Sequence, residues 1–170
     1  MDIICEKDYK TNVWQGGITR ELFIHPKESS LKERNFDLRI SSAIINLTES
    51  DFSDFSGYTR YIMPLEGDIT LYLQDKEVSL QPGMPFLFSG NDKVKSTNSK
   101  GATDFNVIFR NHLPIDFQIL SHAEIMAPPH QTVVFALENI KIDGKTVRKH
   151  DTALMNTTFQ LEGTAAVIRF

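Results

Sequence analysis

Helical periodicity is almost missing from this chain, and short apolar stretches recur between clusters of Gly, Pro, Asn, Asp and Ser. That pattern belongs to an all-β sandwich or barrel. Residues 3–5, 19–25, 36–46, 59–64, 69–73, 76–80, 84–88, 94–97, 103–109, 116–120, 131–136, 140–142, 153–157 and 165–170 read as strands. Gln81-Pro82-Gly83, Ser89-Gly90-Asn91-Asp92, Ser99-Lys100-Gly101 and Asp143-Gly144 supply the turns between them. Only residues 27–35 and 121–127 leave room for a turn of helix. Pro114 restarts the pattern after His112-Leu113. This predicts a main barrel over residues 1–112 and a smaller second half over 113–170, which together also read as one domain.

Polar residues interrupt these apolar strands at alternate positions. Arg39 and Ser41 share one face of a strand, Asp104 and Asn106 share one face of another, and Arg60 punctuates Tyr58-Thr59-Arg60-Tyr61-Ile62-Met63. Strand side chains alternate between faces, so the members of each pair look the same way. Facing inward, two arginines, an aspartate and an asparagine would converge on one cavity. Two guanidiniums grip a carboxylate with paired hydrogen bonds. Asp104 would hold one arginine or accept from an amino group, and Ser41 and Thr19 would add neutral hydrogen bonds. A wall of structural Arg–Asp pairs would read identically in sequence, because buried charges need partners in either case. Phe36, Leu38, Ile40, Ile44, Ile62, Leu65, Leu71, Leu73, Phe86, Phe88, Phe105, Val107, Val133, Phe135 and Ile168 are the expected core.

Composition narrows the function classes. The net charge is −4, against the basic patch of a nucleic-acid binder. No apolar run is long enough to span a membrane as a helix. A single cysteine, Cys5, cannot form an internal disulfide, and no signal peptide is readable at the N-terminus. The expectation is a cytoplasmic protein that binds neither nucleic acid nor membrane, and a homodimer is compatible with it.

Two segments carry further chemistry. In Trp14-Gln15-Gly16-Gly17-Ile18-Thr19, adjacent glycines let the backbone turn sharply or approach a ligand closely. Trp14, Gly16, Gly17 and Thr19 are therefore candidate rim residues, and a structural turn with a packed indole is the alternative. No phosphate-loop spacing is present. Tyr58-Thr59-Arg60-Tyr61-Ile62-Met63-Pro64-Leu65-Glu66-Gly67, followed by Leu80-Gln81-Pro82-Gly83-Met84-Pro85-Phe86-Leu87-Phe88-Ser89-Gly90, resembles a cupin. The His-x-His that many cupins carry on the first of these strands is missing. His25, His112, His122, His130 and His150 are scattered singly, which predicts no bound metal and no cofactor.

The Trp-x-Gly-Gly-x-Thr segment, the strand Phe36…Arg39-Ile40-Ser41-Ser42-Ala43, Phe52-Ser53…Phe55…Gly57-Tyr58…Arg60, Leu65-Glu66-Gly67, Phe88…Gly90 and Asp104-Phe105-Asn106 together resemble the HutD/Ves family of cupin-like proteins. These anchors run from Trp14 to about Arg110. The resemblance implies a compact bicupin, an all-β double-stranded β-helix of the jelly-roll type. It also implies a link either to histidine utilisation, with formylglutamate or urocanate as ligands, or to stress responses. The expected function is non-enzymatic binding of a small anionic or zwitterionic metabolite through Arg39, Ser41, Arg60, Asp104, Asn106 and the Trp14–Thr19 rim, with no catalytic residues. A metal-independent isomerase or epimerase on the same barrel and a structural or interaction module are the alternatives.

Overall fold

The computed structural model describes residues 1–127 and 131–170. His130, one of the scattered histidines, lies outside the described residues. The chain forms two compact units, Lys10–Leu113 and a second made of Met1–Tyr9 with Pro114–Phe170. The first nine residues were expected in the first barrel. They belong to the second unit instead, because β1 (Asp2–Ile4) finds its strand partner far downstream. A single 3-10 turn over Glu6–Asp8 follows it.

The first unit holds two antiparallel sheets. Its strands are β2 (Lys10–Trp14), β3 (Gly17–His25), β4 (Leu38–Ile45), β5 (Glu49–Asp51), β6 (Tyr58–Glu66), β7 (Ile69–Leu73), β8 (Lys76–Ser79), β9 (Phe86–Ser89), β10 (Val94–Asn98) and β11 (Ala102–Arg110). Six form a sheet in the order β2-β3-β4-β11-β6-β9, and four form a sheet in the order β5-β10-β7-β8. Ile69, Leu71 and Val94 of the smaller sheet pack against Ala43, Ile62 and Phe88 of the larger. A separate apolar group, Phe36, Phe55, Tyr58 and Ile108, takes up Ile24 and Leu31. Pro64 sits in β6 beyond the end of its pairing with β9 and beside a bulge in its pairing with β11. A residue without an N–H is tolerated there.

The second unit is one seven-stranded sheet. Its later strands are β12 (Asp116–Ile125), β13 (Thr132–Ala136), β14 (Ile140–Ile142), β15 (Lys145–Val147), β16 (Thr152–Met155) and β17 (Phe159–Arg169). The order is β1-β16-β13-β17-β14-β15, with β12 also paired to β17. Its apolar core includes Ile125, Val134, Ile140, Phe159, Leu161 and Val167, and Thr132, Asp151 and Thr152 are buried in the same unit. Asp151 accepts the Glu6 N–H at 2.7 Å, and the Tyr9 hydroxyl lies 2.7 Å from Thr152 Oγ1 and 2.8 Å from the His150 carbonyl. Burial raises the Tyr9 hydroxyl well above its ordinary range, so it stays a donor.

Two local expectations differ from the structure. The helical turn allowed at 121–127 is strand, with a bulge at His122 in positive φ. The bulge keeps Leu120 and Ala123 both against the core across the irregularity. Ile44, Leu65 and Phe86, read as core, are only half-buried, each at or next to a strand end. The other expected core residues are buried.

Candidate functional site

Register places the polar residues of three neighbouring strands on one face. Asn106 of β11 lies opposite Ser41 of β4 and Ile62 of β6. Two residues along, Ile108 lies opposite Arg39 on one side and Arg60 on the other. Two residues back, Asp104 lies opposite Ala43, which is opposite Thr19 of β3. This face lines a cavity of about 380 Å³. Arg39, Ser41, Arg60, Asp104 and Asn106 are all buried, so the inward alternative holds for all five.

The two arginines are partnered very differently. Arg39 Nε lies 2.9 Å from Glu21 Oε2, and its Nη1 donates to Ser41 Oγ at 3.1 Å. It is a neutralised strut between β3 and β4. Arg60 has no carboxylate within ion-pair distance among the described residues. Its Nη2 donates to Asn106 Oδ1 and its Nη1 to the Ser53 carbonyl, both at a long 3.5 Å. Its Nε is buried without a partner. Three rings surround it instead: Phe52 at 5.0 Å, and Phe55 and Phe88 at 5.2 Å from the guanidinium carbon. Ring faces attract the cation but satisfy none of its N–H groups. Burial lowers Arg60 to about 10, Asp104 opposing and Arg39 reinforcing the shift, so it remains charged at neutral pH.

Asp104 accepts the Ala43 N–H at 3.0 Å and a hydrogen bond from the Asn106 side chain. Burial pushes its carboxyl up to about 6, against those hydrogen bonds and the attraction of Arg60. Asn106 thus stands between the two charges, its oxygen toward Arg60 and its amide toward Asp104. The direct Arg60–Asp104 pair that sequence allowed is replaced by this relay.

The rim residues divide. Trp14 and Thr19 line the cavity, and the indole N–H donates to Thr19 Oγ1 at 3.2 Å. Gly16 and Gly17, expected to face a ligand, lie outside the lining and do structural work. A Cβ on Gly16 would sit 1.9 Å from the Trp14 ring, and one on Gly17 would sit 2.0 Å from the Ile44 carbonyl. One glycine seats the indole and the other lets β3 close on β4.

Sequence reading missed Glu21, Arg34, Ser50 and the aromatic box. Glu21 is two positions after Thr19, so the period of the strand pointed to it. Phe52 and Phe55 lie outside any strand, where no periodicity marks them. Arg34 lines the mouth over the Phe55 ring at 4.7 Å, held by donation from its Nη1 to the Asp54 carbonyl at 2.6 Å.

A metal fits this donor set poorly. The cavity is lined by two carboxylates, the exposed Asp51 and the buried Asp104, which already holds two donors, beside the guanidiniums of Arg34, Arg39 and Arg60, which would repel a cation. Among the described residues no three His, Cys, Asp or Glu side chains gather as a metal ion requires. Nor is any helix among them long and apolar enough to cross a membrane.

Comparison with known proteins locates the chain. The family model described as HutD matches residues 6–168. The chain belongs to the HutD family. An uncharacterised 21.2 kDa protein in the hutC 3′ region of Pseudomonas putida is 34% identical over 114 residues, 64% of this chain. The matched part spans 58% of that relative's length. HutD from Pseudomonas fluorescens SBW25, determined in a formate condition, superposes on this HutD-family chain with a TM-score of 0.87 at 24% identity, covering 99% of this chain and 96% of that one. A cupin 2 conserved barrel domain protein from Leptotrichia buccalis gives 0.64 at 11% identity, covering 99% and 95%. The fold is an all-β cupin.

Proposed function

We propose that this HutD-family chain binds a small organic carboxylate in the first-barrel cavity, as a cytoplasmic, regulatory binding protein rather than a catalyst. Arg60 carries the reading. It is a buried cation with no carboxylate partner among the described residues, an unsatisfied Nε and two hydrogen bonds at the limit of usefulness, facing a cavity of about 380 Å³. Burying a charge without a partner is costly. A ligand carboxylate on Nη1 and Nη2 would replace two long contacts with two short charge-assisted ones. Arg39, by contrast, is already neutralised and shapes the wall.

The position of the P. putida relative beside hutC supports a link to histidine utilisation. Formate, formylglutamate and urocanate are therefore the first acids to test. A ligand that binds only the native state raises its melting temperature by mass action. Thermal melts and calorimetric titration should show stabilisation by at least one of these acids, lost in Arg60→Gln. A broad carboxylate screen without any shift would end this reading.

One observation favours a second reading. A carboxyl in a cavity with a pKa near 6 is suited to proton transfer. Asp104 would then serve a metal-independent isomerase. Among the described residues no histidine lines the cavity as its counterpart. Loss of a substrate C–H signal by NMR in D₂O, abolished in Asp104→Asn, would establish it.

A further inference from the structure

The cavity does not end at the barrel wall. Trp14, Ser50 and Asp51 line it and also line an adjoining groove of about 590 Å³, which continues over Leu47, Tyr72 and Lys95. The shared residues join the two spaces into one path from the interior to the surface. That path opens between two strand edges. Trp14 ends β2, the edge of the six-stranded sheet, and Ser50 and Asp51 belong to β5, the edge of the four-stranded one.

Edge strands are commonly protected by charge. Here the opening exposes rings and an aliphatic side chain: Trp14 and Tyr72 are each 39% exposed and Leu47 43%. The indole is held in place although exposed, seated on Gly16 with its N–H on Thr19. Its pose therefore costs little to fix when something stacks on it. Charge along the groove disfavours a second anion. Glu49 and Asp51 are acidic, and the Lys95 ammonium lies 3.9 Å from Asp51.

A rival extension leaves the cavity past Thr19, Leu31 and Arg39 into a space of about 300 Å³ lined by Lys10 and Lys32. A second carboxylate would go there. The one buried cation on that side, Arg39, is already taken by Glu21.

We propose that the site takes monocarboxylates with an uncharged planar tail, the carboxylate on Arg60 and the tail running out past Trp14 to lie against Tyr72 and Leu47. This rests on the carboxylate reading above and names the ligand class for that site.

The test is a calorimetric titration series on the full chain: acetate, phenylacetate, 3-phenylpropionate and 4-phenylbutyrate, beside succinate and glutarate. At least one phenyl acid should bind about tenfold or more tighter than acetate, the scale of burying a few CH₂-sized groups. The dicarboxylates should gain less than about threefold over acetate on the same scale. Tyr72→Ala, which lies outside the carboxylate cavity, should erase most of the phenyl gain and leave acetate affinity unchanged, and Trp14→Leu should also erase most of the phenyl gain. Fluorescence of the sole tryptophan should respond to the phenyl acids. Equal affinity for acetate and every phenyl acid, or a larger gain for a dicarboxylate, would overturn the tail assignment while leaving the carboxylate site standing. Absence of binding by all six acids would take the carboxylate reading down with it.

Discussion

The two units solve the interior of a β-fold in opposite ways. The second fills its core with Val134, Ile140, Phe159, Leu161 and their neighbours, and its buried carboxylate, Asp151, is taken up by the Glu6 N–H. The first divides its apolar residues into two clusters and leaves between them a cavity whose buried lining includes Arg39, Arg60 and Asp104. Close packing stabilises the first kind of interior, since each buried side chain contributes on the order of 1.5–3 kcal/mol. The second kind forgoes part of that and adds the cost of buried charge. A barrel that accepts this cost at Arg60, while neutralising Arg39 with Glu21, separates its structural cation from its receptive one.

The contrast can be broken by mutation. Phe159→Ala should destabilise the chain by about 3–5 kcal/mol in denaturant melts, since a solid core cannot close over the void. A loss below about 1 kcal/mol would mean that the second unit is not the tightly packed one. Asp104 gives the next largest effect. Its folded pKa of about 6 lies above the ordinary 3.8, so protonation stabilises the fold. The gain is complete below about pH 4 and gone once pH has risen through about 6, worth on the order of 3 kcal/mol. Melts of wild type and Asp104→Asn from pH 4 to 7 isolate it: wild type should lose the extra stability and the variant should not.

The two arginines sharpen the contrast within the first unit. Arg39→Met strands the carboxylate of Glu21, which is only 15% exposed, and should cost about 2–3 kcal/mol at pH 7. Adding Glu21→Leu should return most of it. Arg60→Met keeps the packing against three rings and strands no ion pair. At pH 5, where Asp104 is mostly protonated, it should change stability by less than about 1 kcal/mol. Equal losses for the two methionine variants would erase the distinction between strut and receptor. Carboxylate binding should also weaken as pH rises above about 6, because ionised Asp104 repels the incoming anion.

Alternation made the cavity legible from sequence. Arg39 with Ser41 and Asp104 with Asn106 had to share faces, since the side-chain period of a strand is two. Which face points inward depends on register, and register is set by bulges that no local pattern marks. The bulge in β3 between Glu21 and Phe23 puts Glu21 opposite Ser41 and within reach of Arg39. β2 and β5 escaped the reading because their exposed edges carry no apolar alternation. Phe52 and Phe55 escaped because a loop has no period. The placement of β1 was illegible for a different reason: nothing in Asp2-Ile3-Ile4 names its partner strand.

That partner has a consequence for how the chain assembles. Glu6 and the Asp151 carboxylate that receives its N–H are 145 residues apart in sequence. Topologically, the first barrel is an insertion into the second unit, a loop whose ends the second sheet must bring together. Loop-closure entropy rises with the length of flexible chain, by about 0.6 kcal/mol per doubling. A barrel that has already folded shortens the flexible chain to be closed. Each unit therefore favours the other through connectivity alone, and β1, which precedes the other strands in sequence, must wait for β16 before it can pair.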